Sequence, residues 1–283
     1  MNAGAAPDRY ALVGHPVSHS WSPFIHGLFA RATQQNMQYR LIDVPRERFR
    51  AEALQFFVDG GKGLNVTVPH KQAAAELVNE LTPRAREAGA VNTLYQRSSG
   101  ELVGDNTDGI GLVTDLVINL GLAIAGRRIL ILGAGGATRG VLGPLLARQP
   151  ALLAIANRTV ARAQDLARAF APLGTLAASS FEAVEAAPFD LVINATSASL
   201  EGSAPEVTAA AIGPDTVCYD MAYAKGETPF TRYAREHGAR AAHKGWGMLV
   251  EQAAESFLIW RGIRPQTRPV LELLTSNVTH PAG

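Results

Sequence analysis

The sequence predicts a two-domain α/β fold, and three observations carry that expectation. Apolar strand patterns alternate with helical patterns along most of the chain, the signature of a mostly parallel sheet with covered faces. An apolar run at Arg128–Leu132 ends in Gly133-Ala134-Gly135-Gly136 and passes straight into a helical pattern. That is the strand–turn–helix unit of a Rossmann-type dinucleotide-binding domain. Finally, 283 residues are many for a single hydrophobic core. The expected division is an N-terminal mostly parallel α/β domain from residues 1–107 with 246–283, and a Rossmann-type domain over 108–245. The C-terminal helices have no sheet of their own and are expected to return to the first domain.

The first strand is Tyr10–Gly14, a short apolar run stopped by His15-Pro16. A helix follows from about Pro23, a residue suited to a first helical turn, with Phe24, Leu28 and Phe29 on one face. Tyr39–Val44 reads as a second strand, and Phe49–Val58 as an amphipathic helix closed by Gly60-Gly61. A third strand, Gly63–Val68, is ended by Pro69. Helical pattern then continues through Leu81. Ala90–Tyr95 and Leu102-Val103 read as short strands around a Ser98-Ser99-Gly100 turn. From Asp108 a helix carrying Ile110, Leu112, Val113, Leu116 and Val117 leads to the strand at Ile129. The strand pattern recurs at Ala151–Ala156, Asp190–Asn194 and Thr216–Asp220. After Gly245-Trp246-Gly247, Met248, Leu249, Gln252, Ala253, Phe257 and Leu258 repeat at helical spacing. Residues Met1 to Arg9 lack the charged leader and apolar stretch of a secretion signal and read as a frayed tail.

Gly133, Gly135 and Gly136 leave the turn after Leu132 without side chains. A pyrophosphate there meets bare N–H groups and the positive end of a helix. In the G-x-G-x-x-G register the last position is Thr138, so the tract alone is also compatible with an ordinary strand-to-helix turn. The next strand adds the discriminating feature. It ends at Asn157-Arg158-Thr159, where an NAD-binding domain usually carries an acid for the ribose 2′-hydroxyl. A carboxylate repels a 2′-phosphate, whereas a guanidinium binds it with charge-assisted hydrogen bonds. Arg158, with Arg162 close behind, therefore points to NADP.

With 26 basic and 25 acidic residues, the charge balance argues against a nucleic-acid or acidic-membrane partner. Cys218 is the single cysteine, which excludes an internal disulfide and a thiolate metal cluster. No apolar run approaches the length of a membrane span. The expectation is a cytoplasmic protein, monomer or homodimer, that binds small molecules.

Polar residues gather in the N-terminal domain where a plain scaffold has no need of them. Ser20 and Ser22 flank Trp21 at the start of the first helix; capping explains Ser22 but leaves Ser20 unexplained. Asn65, Thr67 and Lys71 lie at and beyond the C-terminal end of the third strand, where open α/β sheets bind ligands. Asn92, Asp105, Asn106, Thr107 and Asp108 crowd the end of the domain. Lys71 also fits a solvated surface lysine, and Asp108 a helix cap. His15, His19 and His26 raise a metal site, but His15 and His19 flank a proline-containing loop with no acidic ligand nearby. No metal is expected.

Seven segments together resemble the shikimate dehydrogenase family. They are Val-Gly-His-Pro-Val-Ser-His-Ser-Trp-Ser-Pro from Val13, Gly-Leu-Asn-Val-Thr-Val-Pro-His-Lys from Gly63, Gly-Ala-Val-Asn-Thr from Gly89, Gly-Asp-Asn-Thr-Asp-Gly from Gly104, Gly-Ala-Gly-Gly-Ala from Gly133, Asn-Arg-Thr from Asn157, and Gly-Met-Leu-Val-Glu-Gln from Gly247. The resemblance covers nearly the whole chain. It implies reversible, NADP-dependent reduction of 3-dehydroshikimate to shikimate in aromatic amino-acid biosynthesis, and it makes the first domain substrate-binding. Lys71 and Asp108 would be the catalytic pair. Ser20, Ser22, Thr67, Asn92, Tyr223 and Gln252 would join them in holding the substrate. Gly133, Ala134, Gly135, Gly136 and Ala137 would cradle the pyrophosphate, and Asn157, Arg158, Thr159 and Arg162 would hold the adenosine 2′-phosphate. Met221 and Gly245 would line the nicotinamide site. Three positions depart from the family pattern: Ser199 stands where glycine is usual, Lys244 replaces a common acid, and Pro83 occupies a place where an acid often approaches the cofactor.

The chemistry so implied needs a hydride from the cofactor and a proton from the protein. A lysine suits the second task, because its ammonium donates to a developing alkoxide and the amine takes the proton back in reverse. A carboxylate beside it holds the ammonium in place. Two alternatives stay open at this point: a quinate/shikimate dehydrogenase using NAD, and a catalytically silent cofactor-binding paralogue.

Overall fold

The computed structural model describes residues 6–205 and 207–276. The chain forms two compact units, one containing the chain through Gly111 and again from Val250, the other Leu112–Leu249. The frayed-tail reading over residues 1–5 lies outside the described residues. Asp8 and Arg9, also assigned to the tail, instead open the first strand.

The first unit contains β1 (Asp8–Gly14), α1 (Ser22–Ala32), β2 (Met37–Asp43), a 3-10 turn at Arg46–Arg48, α2 (Phe49–Val58), β3 (Gly63–Val66), α3 (Lys71–Leu77), β4 (Glu80–Leu81), α4 (Pro83–Ala88), β5 (Thr93–Gln96) and β6 (Leu102–Asp105). Its sheet runs β2-β1-β3-β5-β6-β4. β1 pairs in parallel with both β2 and β3, and β4 with β6. β5 is antiparallel to β3 and β6. Gly100, at φ +92°, lets the chain reverse between β5 and β6, and so short a connection permits only antiparallel pairing. α5 (Asp108–Thr114) and a π-helical turn at Asp115–Asn119 then lead to the second unit.

The second unit holds β7 (Arg128–Leu132), α6 (Gly136–Leu146), β8 (Leu152–Ala156), α7 (Val160–Phe170), β9 (Ala177–Ser179), β10 (Leu191–Asn194), β11 (Val217–Asp220), α8 (Pro229–Glu236) and β12 (Ala241–Lys244). The sheet, β12-β11-β10-β7-β8-β9, is parallel throughout. Its order reverses between β7 and β10, which opens a ligand crevice at the C-terminal ends of those two strands. Alternation explains the continuous apolar pattern of β7. Ile129 and Ile131 enter the core on one face, Leu130 and Leu132 the core on the other. From β12 the chain passes into α9 (Trp246–Arg261), and α10 (Arg268–Thr275) follows in the first unit.

Several elements differ from the sequence expectation. The helical pattern through Leu81 breaks after Leu77, and Glu80-Leu81 becomes an edge strand on β6. β4, β9 and β12 are two to four residues long, too short to show a period of two. The buried face of α1 is Ser22, Ile25, His26, Phe29 and Ala30, while Phe24 and Leu28 are only half-buried. His26 takes the place of an apolar residue in that stripe.

His26 is fully buried in an aromatic layer. It stacks on Tyr39 with ring centroids 4.2 Å apart and 7° between planes, and Trp260, Phe29 and Phe257 surround it. Among the described residues neither ring nitrogen has a hydrogen-bond partner, and burial holds the pKa down to about 3 against a smaller opposing effect of the nearby Asn65 side chain. The folded state therefore binds no proton here at pH 5, whereas the unfolded chain, with an ordinary histidine near 6.5, does. Stability is unaffected above pH 6.5 and falls as pH drops below it, by about 2 kcal/mol between pH 7 and 5. Denaturant titrations of the wild type and His26→Leu across pH 4–8 check this. The wild type should lose more stability than the variant over that window; parallel profiles would count against the assignment.

Candidate active site

In the first unit, Lys71 opens α3 just past β3, and Asp108 opens α5 just past β6. Lys71 Nζ donates to Asp108 Oδ2 at 2.5 Å, and the two side chains are 17% and 6% exposed. Lys71 is thus not a solvated surface lysine. Asp108 is not a helix cap by its carboxylate either. Both of its oxygens accept from side chains instead, and its N–H donates to Asn106 Oδ1 at 3.1 Å.

The second Asp108 oxygen accepts from Asn92 Nδ2 at 2.8 Å. Asn92 is a buried hub: Nδ2 also lies 2.9 Å from Thr107 Oγ1 and 3.4 Å from Gln252 Oε1, and Oδ1 accepts the Thr107 N–H at 2.8 Å. Two amide protons cannot serve three oxygens equally, so the long contact to Gln252 is the weakest. Gln252 arrives because α5 approaches α9 at Gly111, where a Cβ would stand 2.7 Å from the Gln252 Cβ. Asn65 extends the network, donating to Asn92 O at 3.1 Å, Thr93 Oγ1 at 3.2 Å and Ser256 Oγ at 3.0 Å.

Ser20 and Ser22 are both buried and lie in hydrogen-bond contact at 3.1 Å. Their expected roles change. Ser22 is the first residue of α1 and not its cap, and it is Ser20 Oγ that accepts the Ser22 N–H at 3.2 Å. Thr67 is half-buried just beyond β3, its N–H bonded to Val13 O at 2.9 Å. The expected absence of an acid near His15 is overturned: Asp43, from the end of β2, reaches His15 Nδ1 at 2.5 Å. Among the described residues no group of three or more His, Cys, Asp or Glu is arranged to hold a metal.

Sequence reasoning missed the ion pairs beneath this cluster. Arg84 grips Asp105 with Nε on Oδ1 at 2.7 Å and Nη2 on Oδ2 at 2.8 Å, and reaches Glu255 Oε1 with Nη1 at 3.0 Å. Arg264 holds the other Glu255 oxygen at 2.7 Å and Glu251 at 3.0 Å. Burial pushes the Asp105 carboxyl up, but Arg84, the Thr82 hydroxyl and the Asn106 N–H together outweigh it and hold it below the ordinary value. The network ties α4 and β6 to α9 on either side of Gln252. The acidic crowd at Asp105–Asp108 was its one visible signal, since its partners are distant in sequence.

In the second unit, Gly133 sits at φ +103°, with the Ala195 backbone 3.2 Å from where a Cβ would stand. Glycine is required there because β7 and β10 end side by side. Gly135 and Gly136 have open space where side chains would be. Thr138, at the third position of the glycine register, donates its hydroxyl to Gly133 O at 2.8 Å and closes the turn from below. Asn157 Oδ1 accepts the Ala134 N–H at 3.2 Å, linking the glycine turn to the end of β8. Ala137 follows in the first turn of α6. Arg158, Thr159 and Arg162 are exposed, and no ion pair among the described residues holds either guanidinium. An open glycine cradle at a helix N-terminus, with two uncommitted arginines at the next strand end, fits a dinucleotide carrying a 2′-phosphate.

Met221 is half-buried after β11, and the Tyr223 ring packs on Trp246 at 4.9 Å. Gly245 lies directly against the Met221 carbonyl, so a side chain there has no room. The three departures acquire structural roles. Ser199 donates to Asp220 Oδ2 at 2.6 Å, Lys244 donates to two loop carbonyls, and Pro83 occupies the first turn of α4 behind the Thr82 cap. Burial raises the Asp220 carboxyl above its ordinary range against the opposing effect of its donors.

A parallel Rossmann sheet with an NADP-type cradle, in a chain that also pairs a lysine with a buried aspartate, defines a nicotinamide-dependent oxidoreductase. Residues 12–94 match the shikimate dehydrogenase substrate binding domain, 117–211 the shikimate / quinate 5-dehydrogenase family, and 245–275 the shikimate 5′-dehydrogenase C-terminal domain. The NADP(+) shikimate dehydrogenase of Methylococcus capsulatus is 55% identical over 96% of this chain and 97% of its own. A solved Ael1 enzyme from Pseudomonas putida is 48% identical with a TM-score of 0.88, covering 96% of this chain and all of that one. The Thermus thermophilus shikimate 5-dehydrogenase, solved with NADP(H) and shikimate, is 32% identical with a TM-score of 0.83, covering 94% and 97%. The chain belongs to the shikimate dehydrogenase family.

Removing Arg84 would leave Asp105 buried without its charge partner. Arg84→Ala is expected to lower unfolding free energy by about 3 kcal/mol. Arg84→Lys should recover little of it, because an ammonium cannot span both carboxylate oxygens. Denaturant titration measures both; a loss under about 1 kcal/mol for the alanine variant would reduce the network to surface decoration.

Proposed function

We propose that this protein is the NADP-dependent shikimate dehydrogenase of its host, reducing 3-dehydroshikimate to shikimate reversibly. The observation that carries this is the 2.5 Å contact of Lys71 with Asp108, inside a cluster of neutral hydrogen-bonding side chains. NADPH, when bound, supplies the hydride for the ketone carbon. Lys71 supplies the proton: its ammonium donates to the carbonyl oxygen as that oxygen gains charge, and the amine recovers the proton in the reverse direction. Asp108 fixes the Lys71 ammonium through one oxygen, while Asn92 fixes Asp108 through the other.

Ser20, Ser22, Thr67, Asn92 and Gln252 suit a ring bearing several hydroxyls and a carboxylate, since neutral groups donate and accept without repelling either. Tyr223 would be a further substrate-binding residue, as the family resemblance implies. Gly133, Ala134, Gly135, Gly136 and Ala137 would face the pyrophosphate, with the Ala134 N–H already turned to Asn157. Asn157, Arg158, Thr159 and Arg162 would hold the 2′-phosphate, and Met221 and Gly245 the nicotinamide. In this assignment residues 1–107 with 246–283 bind substrate and 108–245 bind NADP. We place the protein in the cytoplasm, as a monomer or homodimer; no described helix is long and apolar enough to cross a membrane.

Lys71→Ala should lower kcat for NADP-dependent shikimate oxidation roughly 10²–10⁴-fold, with the KM for shikimate much less affected. Near-normal turnover in the folded variant would remove Lys71 from the reaction. Arg158→Ala should weaken NADP on the order of 10- to 100-fold by loss of charged hydrogen bonds. NAD, which has no phosphate at that position, should bind unchanged. Fluorescence titration with both cofactors separates the cases, and equal losses would show that the arginine serves the fold.

A further inference from the structure

The loop from β11 to α8, residues 221–228, has no regular secondary structure beyond turns and bends, yet it is tied down at its ends and in its middle. At the ends, the buried Asp220 carboxylate accepts the Ala222 N–H at 3.1 Å and the Thr228 hydroxyl at 2.5 Å. Asn194 Nδ2 at 3.0 Å and Ser199 Oγ at 2.6 Å take the remaining sites on the same carboxylate. In the middle, Lys244 at the end of β12 donates from Nζ to Ala224 O and Gly226 O, both at 3.0 Å. Trp246 Nε1 donates to the same Ala224 carbonyl at 3.2 Å.

We propose that Lys244 is a positioning residue for the reaction, bridging the Ala224 and Gly226 carbonyls so that the loop presents Met221 and Tyr223 in one fixed conformation. The proposal rests on the placement of those two residues at nicotinamide and substrate given above. An ammonium is suited to the bridge, since it can send separate protons to two carbonyls two residues apart. A carboxylate there would repel both oxygens. Without the bridge, among the described residues the Ala224 carbonyl keeps the indole N–H of Trp246 alone, and Gly226 loses its Lys244 bond. The loop then samples conformations that it must give up again when substrate binds, and that ordering raises KM more than it lowers kcat.

The test compares full-length wild type, Lys244→Met and Lys244→Arg. Without ligands, limited trypsin digestion reads cleavage after Lys225, an exposed residue inside the bridged segment. Lys244→Met should be cut there roughly 10-fold faster, the scale expected when charge-assisted hydrogen bonds are lost, and Lys244→Arg near the wild-type rate. With substrates, Lys244→Met should raise the KM for shikimate about 10-fold and change kcat less than about threefold. NADP affinity by fluorescence titration should fall by much less than the KM rises, because Met221 alone of the proposed cofactor contacts lies on this loop. Wild-type cleavage and KM in the methionine variant would overturn the proposal. So would equal losses in KM, NADP affinity and melting temperature, which mark a merely structural lysine. If Lys244→Met does not fold, Lys244→Leu carries the same readouts, and cleavage and KM at wild-type values in that variant refute the bridge. A wild type inactive on shikimate would sink the function assigned above, while the ligand-free cleavage rates would still decide the bridge.

Discussion

Asp108 is an acid placed almost out of reach of water, and much of the first unit answers the demands this makes. A buried carboxylate needs a countercharge and donors for its remaining lone pairs, or it takes up a proton. Lys71 meets the first need and Asn92 the second. Asn92 can serve only if its own amide is held, which Thr107 and Thr93 do through Oδ1. Asn65 and Ser256 then brace that layer from β3 and α9. Each step moves the requirement outward until it meets the sheet and α9. Beneath it, Arg84, Asp105 and Glu255 fasten the same helix by charge, so α9 from Val250 onward is tied into the first unit.

The second unit depends on backbone more than on side chains. At the strand-order reversal, β7 and β10 end together, and the chain leaves β7 through a glycine that no side chain could replace. Thr138 and Asn157 hold the turn from two directions, so its open amides have a fixed bearing before any ligand arrives. Such preorganisation suits recognition of a pyrophosphate, which offers charge and little shape.

Positions that differ from the family pattern show how a fold absorbs change. Ser199 completes the donor set around the buried Asp220, and Lys244 replaces an acid with a donor to loop carbonyls. Both act on the loops that follow β10 and β11. Neither alters the polar cluster around Lys71.

Only the family resemblance paired Lys71 with Asp108; the residues by themselves determined the alternating architecture, the glycine turn and the NADP-type strand end. All are local: strand and helix periods, glycines that need open space, and motifs of a few consecutive residues. The sequence did not determine β4, β9 and β12, whose few residues acquire strand geometry only by pairing with a neighbour. It misassigned the buried face of α1, because His26 is a core residue only through the aromatic rings stacked on it. The exchange of roles between Ser20 and Ser22 and the Arg84 network were likewise decided by tertiary structure alone. A hydrogen-bond partner far away in sequence is invisible until the chain has folded, and burial, which decides whether a charge must be paired, is a property of the assembled core.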